Sequence, residues 1–247
     1  MNLIEKLPRR RLLPSRLLRL AKRSGPLGRW LLEIGHDLVH CDYCDRWEST
    51  FTRNRWLGLQ VEQLPGDLLI YQEVVFDTKP TLIVQTGVNY GGSALFFASL
   101  LDIAVPDPDA AYVGIDIRLT REALSITHPR VTLLEGDSAS PAIVEKLHRL
   151  AEGRKVMVIL DSDHSALHVQ RELEALASMV SRDCFLVVED THIHGRPTPS
   201  ADPGPTEGLA AYLKANPSVH HQWSLWTEPY SRHRASFHSW LRRVAAP

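Results

Sequence analysis

Short apolar runs alternate with longer helical segments from about residue 80 to residue 215. The runs are rich in branched side chains, which is typical of strands buried on both faces of a sheet. We predict strands at Thr81–Gln85, Ala111–Ile117, Val131–Leu134, Val156–Leu160 and Phe185–Val188, and helices at Ser93–Ala104, Ser140–Glu152, Ala166–Val180 and Thr206–Ala215. Because strands that alternate with helices form a parallel sheet with helices on both faces, the pattern predicts an α/β fold.

The two ends of the chain differ from this central pattern. Val219–Trp226 and Ser236–Leu241 are typical of two strands and predict a terminal antiparallel hairpin. Residues 30–79 are rich in aromatic and charged residues, and we interpret them as a cap over the sheet. The sequence therefore predicts a basic N-terminal arm at 1–29, an N-terminal cap segment at 30–79 and a main domain at 80–247.

The composition is that of a globular protein. Hydrophobic residues make up 44% and charged residues 23% of the 247 residues, which is an ordinary balance. The longest apolar stretches are far below the roughly 20 residues that cross a membrane, so we expect no transmembrane segment. Three cysteines cannot form a disulfide framework, which predicts a cytoplasmic protein.

The net charge of −1 is the sum of two opposite parts. Residues 1–29 hold nine basic residues and one acid, a net charge of +8, so the remainder carries −1 − 8 = −9. A near-neutral total argues against a nucleic-acid partner. The basic arm contains leucines and could contact an anionic membrane surface. We favour packing on the acidic body or on a neighbouring subunit of a homo-oligomer. Within the arm, Pro14 predicts the start of a short helix and Gly25-Pro26 its end.

A glycine-rich segment from Gln85 to Ser93 follows the first predicted strand. Its glycines have the spacing G-x-x-x-G-G, and they would let a ligand approach the backbone closely. The spacing differs from that of dinucleotide enzymes, which disfavours an NAD-dependent oxidoreductase, and no lysine follows to bind a triphosphate. The segment therefore predicts either a ligand-binding loop of another kind or a tight turn between strand and helix.

Polar residues follow the second and third strands, at the sheet edge where α/β proteins bind ligands. Asp116 follows the second strand and could accept hydrogen bonds from a ribose diol. Asp137 and Ser138 follow the third strand and offer polar contacts to an adenine edge. A single acid in such a place is often a helix cap, but polar groups after successive strands favour a nucleoside site.

Pairs of acids follow the fourth and fifth predicted strands. Asp161 and Asp163 come after the fourth strand, and Glu189 and Asp190 come after the fifth. Adjacent strands would bring these carboxylates together, which is costly unless they bind a cation or a proton. Hard oxygen ligands suit Mg²⁺ or Mn²⁺, so the sequence predicts a divalent metal site.

Several of these segments occur together in one known family. They are Val84–Gly87, Gly91–Phe96, Ile159–Ser165, Val187–Thr191 and Pro203–Pro205, with weaker matches at Trp56–Gly58 and Tyr71–Glu73. Over about residues 52–216 the chain resembles the cephalosporin hydroxylase / rhamnosyl O-methyltransferase family. The resemblance implies a Rossmann-like class I methyltransferase fold with a mostly parallel seven-stranded sheet, helices on both faces and an N-terminal helical cap.

The resemblance also implies roles for the residues singled out above. The methionine part of S-adenosylmethionine would lie against Gly87, Gly91, Gly92 and Ser93. Asp116 would bind the ribose, and Asp137 and Ser138 would lie beside the adenine. The metal would be bound by Glu189, Asp190 and either Asp161 or Asp163. Asp161, which falls at the strand end, would also face the cofactor, whereas the family spacing favours Asp163 as the metal ligand.

The reaction that follows is methylation of a hydroxyl on a sugar, polysaccharide, glycolipid or natural product. His164, next to Asp163 in the predicted catalytic pair, is our candidate general base, because it follows the metal carboxylates and titrates near neutrality. A role in orienting a carboxylate is the alternative for His164, and His192 and His194 are weaker candidates for the base. The family usually has glutamate at Gln85, and this missing charge keeps a second hypothesis open, a non-catalytic methyltransferase-fold partner protein.

Three further features have competing interpretations. His36, His40, Cys41 and Cys44 are zinc-type ligands, but so short a segment can hardly surround one ion, so we favour packed side chains. Aromatic residues near the C-terminus could line an acceptor pocket or belong to the core; they are Trp223, Trp226, Tyr230 and Trp240. The proline-rich segment 195–205 is typical of a loop and could cover the metal site.

Overall fold

The computed structural model describes residues 23–192, 202–227, 236 and 238–245. Residues 1–22 and 193–201 lie outside this part, and with them the predicted helix at Pro14, most of the basic arm, His194 and most of the predicted lid. Tyr230 is outside it as well. None of the described helices has the length and apolar character needed to cross a membrane. The contacts of the basic arm stay a prediction.

The chain divides into two compact units between Asp42 and Tyr43. Helix α1 (Gly25–Asp45) makes up most of the described part of the first unit. Arg23 is helical and Ser24 forms a bend, so a helix stops directly before Gly25-Pro26, as predicted. Helix α1 then begins at Gly25, with Pro26 in its first turn, where a missing N–H leaves no hydrogen bond unmade. The predicted zinc-type residues lie along α1. Cys41 is a free, partly exposed thiol, and the side chains of the other three lie outside the described part.

The second unit contains the other helices of three or more described residues and all the described strands. The helices are α2 (Pro65–Thr78), α3 (Gly92–Ala104), α4 (Arg121–Leu124), α5 (Pro141–Ala151), α6 (Ala166–Leu176) and α7 (Pro205–Ala215). The strands are β1 (Arg55–Trp56), β2 (Leu59–Gln60), β3 (Leu82–Thr86), β4 (Ala111–Asp116), β5 (Val131–Glu135), β6 (Val156–Leu160), β7 (Phe185–Val188), β8 (Trp223–Leu225) and β9 (Ser239–Arg243). The predicted central elements are all present, although α6 ends at Leu176 and a 3₁₀ turn follows it.

Seven strands form one sheet in the order β5-β4-β3-β6-β7-β9-β8. The five strands from β3 to β7 pair in parallel, and β9 is antiparallel to both β7 and β8. The predicted mostly parallel seven-stranded sheet and terminal hairpin are thus confirmed. Every residue of β3, β6 and β7 is buried, which explains why these strands have no polar alternation.

The register of the sheet determines where the loops after the strands meet. Thr86 of β3 pairs with Ile115 of β4 and Leu160 of β6, and Leu160 pairs with Val188 of β7. These strands therefore end at the same level. The chain order also reverses between β3 and β6, which is the point where open α/β sheets bind ligands.

The C-terminal tryptophans belong to the core rather than to an open pocket. Trp240 on β9 is fully buried, and its ring centroid lies 4.7 Å from that of Tyr71. Trp226 packs on Phe185 with ring centroids 5.1 Å apart. Trp223 lies under the guanidinium of Arg243 at 5.0 Å. Of the two interpretations above, the structure favours core packing for these three residues.

Candidate active site

A cavity of about 580 Å³ opens at the carboxyl edge of the sheet, around the point where the chain order reverses. Nine of the predicted site residues line it: Gly87, Ser93, Asp116, Asp137, Ser138, Asp161, Asp163, His164 and Asp190. Four others do not: Gln85, Gly91, Gly92 and Glu189. The structure therefore brings most of the predicted residues to one cavity and places the rest behind its wall.

The glycine loop after β3 lies against the loop after β6. Gly87 has a φ of +80°, and a Cβ atom there would lie 1.8 Å from the backbone oxygen of Asp161. Only glycine fits this close approach. Gly92 is equally constrained, because a Cβ atom would lie 2.1 Å from the backbone oxygen of Gln60. Both glycines allow close packing of backbone segments around the cavity. The spacing of glycines in the sequence is the same for this purpose as for contact with a ligand.

Asp116 holds the glycine loop in place. Its Oδ2 accepts hydrogen bonds from the backbone N–H groups of Val88 at 2.9 Å and Asn89 at 3.0 Å. Its Oδ1 accepts one from the backbone N–H of Arg118 at 3.0 Å. Asp116 thus organises the loop and also lines the cavity, where its contact with a ribose stays a prediction.

Gln85 lies behind the cavity and supports Asp161. The side chain is fully buried, and the Tyr112 hydroxyl donates to its Oε1 over 2.8 Å. Its Nε2 lies 3.4 Å from Oδ2 of Asp161. A glutamate would offer Asp161 a second negative charge in place of this amide donor, so the amide suits a site that already contains several carboxylates.

Asp161, His164 and Asp190 form the cluster that could hold a metal ion. One ligand atom from each lies within 4.8 Å of the others, and Nε2 of His164 is 3.5 Å from Oδ2 of Asp190. Burial, reinforced by the charges of Glu189 and Asp190, raises the pKa of Asp161 well above its usual range. Such a raised pKa reflects negative charge that no nearby positive group of the described residues fully compensates. A bound divalent cation would compensate it. The cluster therefore fits a hard cation.

The structure separates the two acids after β6. Asp161 is in the cluster, whereas Asp163 is exposed and its Oδ1 accepts a 2.7 Å hydrogen bond from the backbone N–H of Ser165. This bond stabilises the start of α6 and lowers the pKa of Asp163. Between the two alternatives left open by the sequence, the side-chain positions favour Asp161 as the metal ligand.

Glu189 lies beneath the cluster and is only 2% exposed. The Tyr71 hydroxyl donates to its Oε1, and Nε2 of Gln63 donates to its Oε2 over 2.6 Å. The same Gln63 amide lies 3.2 Å from Oδ2 of Asp161, so it links the two carboxylates. Direct metal ligation by Glu189 stays a prediction. The roles of Gln63 and Tyr71 were missed, because no local pattern connects them with residues about a hundred positions away.

A buried histidine partly neutralises these acids from below. Nε2 of His238 lies 3.1 Å from Oδ2 of Asp67 and 3.7 Å from Oε2 of Glu189. Burial disfavours the charged ring, but the charges of Asp67 and Glu189 outweigh it and raise the pKa of His238 to about 10. The backbone N–H of Asp190 lies 3.0 Å from Nδ1, a contact that favours the neutral ring and opposes this rise. His192, the weaker candidate for the base, is buried and does not line the cavity.

Glu172 organises the other end of the cavity, where the sequence predicts an adenine. This fully buried carboxylate accepts hydrogen bonds from Oγ of Ser138 at 2.5 Å and Oγ of Ser162 at 2.7 Å. His168 lies one turn earlier on α6, with its Nε2 3.4 Å from Oε1 of Glu172. The same histidine lines the cavity. The hydrogen bond to Glu172 raises the pKa of His168. Their spacing of four on one helix face was the only sequence signal for this pair.

The cavity is strongly negative. Its lining residues include no lysine or arginine among the described part of the chain, but they include six carboxylates: Glu62, Asp116, Asp137, Asp161, Asp163 and Asp190. Among the described residues, His164 and His168 are the basic members of the lining. Such a lining complements cationic ligands.

The sheet order, with an antiparallel strand inserted between β7 and β8, and the acidic cavity after β3 to β7 define a class I methyltransferase. Comparison with known proteins identifies the family. The sequence model of the Rhamnosyl O-methyltransferase/CmcI family matches residues 48–244. The chain belongs to this family and is an S-adenosylmethionine-dependent O-methyltransferase, which confirms the predicted fold and enzyme class.

Curated relatives support this membership. The rhamnosyl O-methyltransferase of Mycobacterium bovis (strain BCG / Pasteur 1173P2) is 35% identical over 170 residues, covering 66% of this chain and 67% of the relative. That of Mycobacterium leprae (strain TN) is 32% identical over 174 residues, covering 69% and 73%. These names describe the relatives.

Solved structures show the same fold at lower sequence identity. CmcI with Mg and SAM has a TM-score of 0.59 and is 21% identical, covering 81% of this chain and 84% of CmcI. A TDP-rhamnose 3′-O-methyltransferase of calicheamicin biosynthesis has a TM-score of 0.50 and is 19% identical, covering 72% and 76%. At these identities the likeness concerns the fold alone.

Proposed function

We propose that this chain transfers the methyl group of S-adenosylmethionine to a sugar hydroxyl and requires Mg²⁺ or Mn²⁺ to do so. The observation that supports this most is the cluster of Asp161, His164 and Asp190 beside the glycine loop in one acidic cavity. The cofactor carries a positive sulfonium and a positive ammonium group, and the divalent cation is positive as well. These charges complement the negative lining of the cavity. The names of the relatives make a rhamnosyl hydroxyl the first candidate acceptor.

Residues after β3, β4 and β5 would bind the cofactor. The loop from Gly87 to Ser93 would hold its methionine part, and Asp116 its ribose. Asp137 and Ser138 would lie beside the adenine, and Glu172 holds Ser138 in position. These contacts would hold the cofactor in a fixed position relative to the acceptor. Most of the rate acceleration would come from this positioning of the two reactants.

Asp161 and Asp190 would hold the cation, which when bound would stabilise the ionised form of the acceptor hydroxyl. His164 would accept the hydroxyl proton at Nε2, so that the oxygen carries the electron pair that forms the new bond to the methyl carbon. The carbon–sulfur bond would break as this bond forms, its electron pair would stay on sulfur, and S-adenosylhomocysteine would leave. Asp190 lies 3.5 Å from this nitrogen and would stabilise the imidazolium that results. In this scheme Glu189 contributes negative charge from beneath the cluster.

The proposal is tested by binding and by transfer. Calorimetry with S-adenosylhomocysteine, with and without Mg²⁺, should show binding, and absence of heat under both conditions would contradict the proposal. Labelled methyl groups should then pass from S-adenosylmethionine to one class in a panel of acceptors: rhamnosides, other sugars, glycolipids and non-sugar phenols. Transfer only to phenols would refute the sugar acceptor while leaving the enzyme class intact.

The role of His164 has its own test. His164→Ala should abolish transfer while Mn²⁺ still binds, because a base can be lost without loss of the carboxylate ligands. Loss of Mn²⁺ binding in this variant would instead make His164 a metal ligand.

A further inference from the structure

One carboxylate in the cavity, that of Glu62, was not expected from the sequence. Glu62 follows β2 and lines the cavity together with Gly87, Asn89 and Ser93. The backbone before it is closely packed, because Gln60 leaves no room for a side chain at Gly92, the first residue of α3. Glu62, two residues after Gln60, lies beside the glycine loop, at the end of the cavity where the methionine part of the cofactor is expected.

The Glu62 side chain is held by neutral groups only. Its Oε2 accepts a 2.8 Å hydrogen bond from Nδ2 of Asn89, and its Oε1 accepts a 2.5 Å bond from Nε2 of Gln60. Burial raises the pKa of Glu62 despite these two bonds. No lysine, arginine or histidine of the described residues forms an ion pair with it. A half-buried carboxylate with neutral partners favours a cationic ligand.

The other carboxylates of the cavity have other partners. Asp161 and Asp190 belong to the metal cluster, and Asp116 accepts three backbone hydrogen bonds. Asp137 lies 3.4 Å from the guanidinium of Arg171, and Asp163 accepts the backbone N–H at the start of α6. Among the described acids of the lining, Glu62 and Asp116 lie beside the glycine loop without an ion pair to another described residue, and Asp116 is already engaged by the three backbone N–H groups.

The buried end of β3 does not provide a negative charge for a cationic ligand. Gln85, the residue of β3 nearest the loop that carries a long polar side chain, is a neutral amide engaged with Tyr112 and Asp161. An amino-acid ligand in this place presents a carboxylate and an ammonium group. The N-terminus of α3 suits the carboxylate, which leaves the ammonium group in need of an acceptor on the opposite side.

We propose that Glu62 binds the ammonium group of the methionine part of S-adenosylmethionine and thereby makes the site selective for ligands that carry this amine. The inference rests on the proposed function and deepens it. Recognition is then divided between the β1–β2 hairpin and the sheet, and Asn89 holds the carboxylate of Glu62 towards the glycine loop.

Calorimetry with two ligands tests this role. The ligands are S-adenosylhomocysteine and its desamino analogue, which lacks only the amine. Glu62→Gln should raise the Kd for S-adenosylhomocysteine about tenfold, which corresponds to about 1.4 kcal/mol, and leave the Kd for the desamino analogue unchanged. Glu62→Asp keeps the charge and should recover part of the loss. Glu152→Gln, at an exposed position after α5, is the matched control and should change neither Kd.

The outcomes separate the proposal from its premise. An unchanged Kd for S-adenosylhomocysteine in Glu62→Gln would overturn the proposal, and so would equal weakening of both ligands, since that would indicate only a structural role through Asn89. If the unsubstituted protein bound neither ligand, the proposed function itself would fail. Melting temperatures of the variants show whether each one is folded.

Discussion

The side-chain amide of Gln63 donates a 2.6 Å hydrogen bond to the buried carboxylate of Glu189, 126 positions further along the chain. The same amide nitrogen lies 3.2 Å from Oδ2 of Asp161, so one neutral donor links the two carboxylates. Gln63→Leu keeps the volume but removes the donor. We expect the free energy of unfolding to fall by about 1–3 kcal/mol, because both carboxylates lose a buried hydrogen bond.

Urea unfolding measures this effect. Gln170→Leu is the control, since the amide of Gln170 bonds Glu174 at the exposed surface of α6 and its loss should cost little. Equal stability of Gln63→Leu and the unsubstituted protein would show that the bridge contributes nothing.

Asp161 and Asp163 should differ sharply in metal binding. Asp161→Asn removes a charge from the cluster, so Mn²⁺ should no longer raise the melting temperature of this variant. A ligand at 100 times its Kd stabilises a protein by about 2.7 kcal/mol, which a thermal melt detects readily. Asp163→Asn should keep the full shift, because Asp163 bonds the start of α6. The reverse result would assign the metal to Asp163.

The pair of His168 and Glu172 should make stability depend on pH. A histidine whose pKa is raised in the folded state adds stability that is complete below the unfolded value of about 6.5 and is lost as the pH rises through the raised pKa. His168→Gln should therefore lower the free energy of unfolding more at about pH 6 than at about pH 9, by about 0.5 kcal/mol, since the His168 ring is partly exposed to solvent.

Urea unfolding at the two pH values provides this comparison. His148→Gln, at an exposed position on α5, is the control. Its effect on the free energy of unfolding should be the same at both pH values. A cost of His168→Gln that does not change with pH would mean that the ring acts only by packing.

Gly87 should tolerate no side chain, for a reason beyond its φ angle. Gly87→Ala would place Cβ 1.8 Å from the backbone oxygen of Asp161, and we expect a loss of about 3 kcal/mol or more together with loss of cofactor binding. Gly153 is the matched control, because its φ of +70° is similar and nothing lies within 4 Å of a Cβ there. Gly153→Ala should cost only the backbone strain of about 1–2 kcal/mol. Similar losses in both variants would contradict the close approach.

Part of the site was predictable because it follows from chain order and strand periodicity. Strands β6 and β7 were predicted with the bounds that the structure shows, since strands buried on both faces are continuous apolar runs. Residues that follow such strands must meet at one edge of a parallel sheet. That rule predicts that Asp116, Asp161 and Asp190 lie at one edge of the sheet, where they line the cavity.

The basic arm shows a different limit. Gly25-Pro26 predicted the end of a helix, and the helical conformation does stop after Arg23. The local pattern did not show that a new helix begins at Gly25 itself and continues to Asp45.

The sequence by itself determined the α/β class, the order of strands and helices and the edge of the sheet at which the chemistry lies, because these depend on local periodicity and on chain direction. Only the tertiary structure decided that Asp161 rather than Asp163 joins the cluster, that Gln63 links Asp161 with Glu189 and that Glu62 enters the cavity. These relationships depend on side-chain directions and on the register between segments far apart in the chain. A hydrogen bond across about a hundred residues leaves no periodic signal in the sequence, since each partner satisfies only its own local pattern.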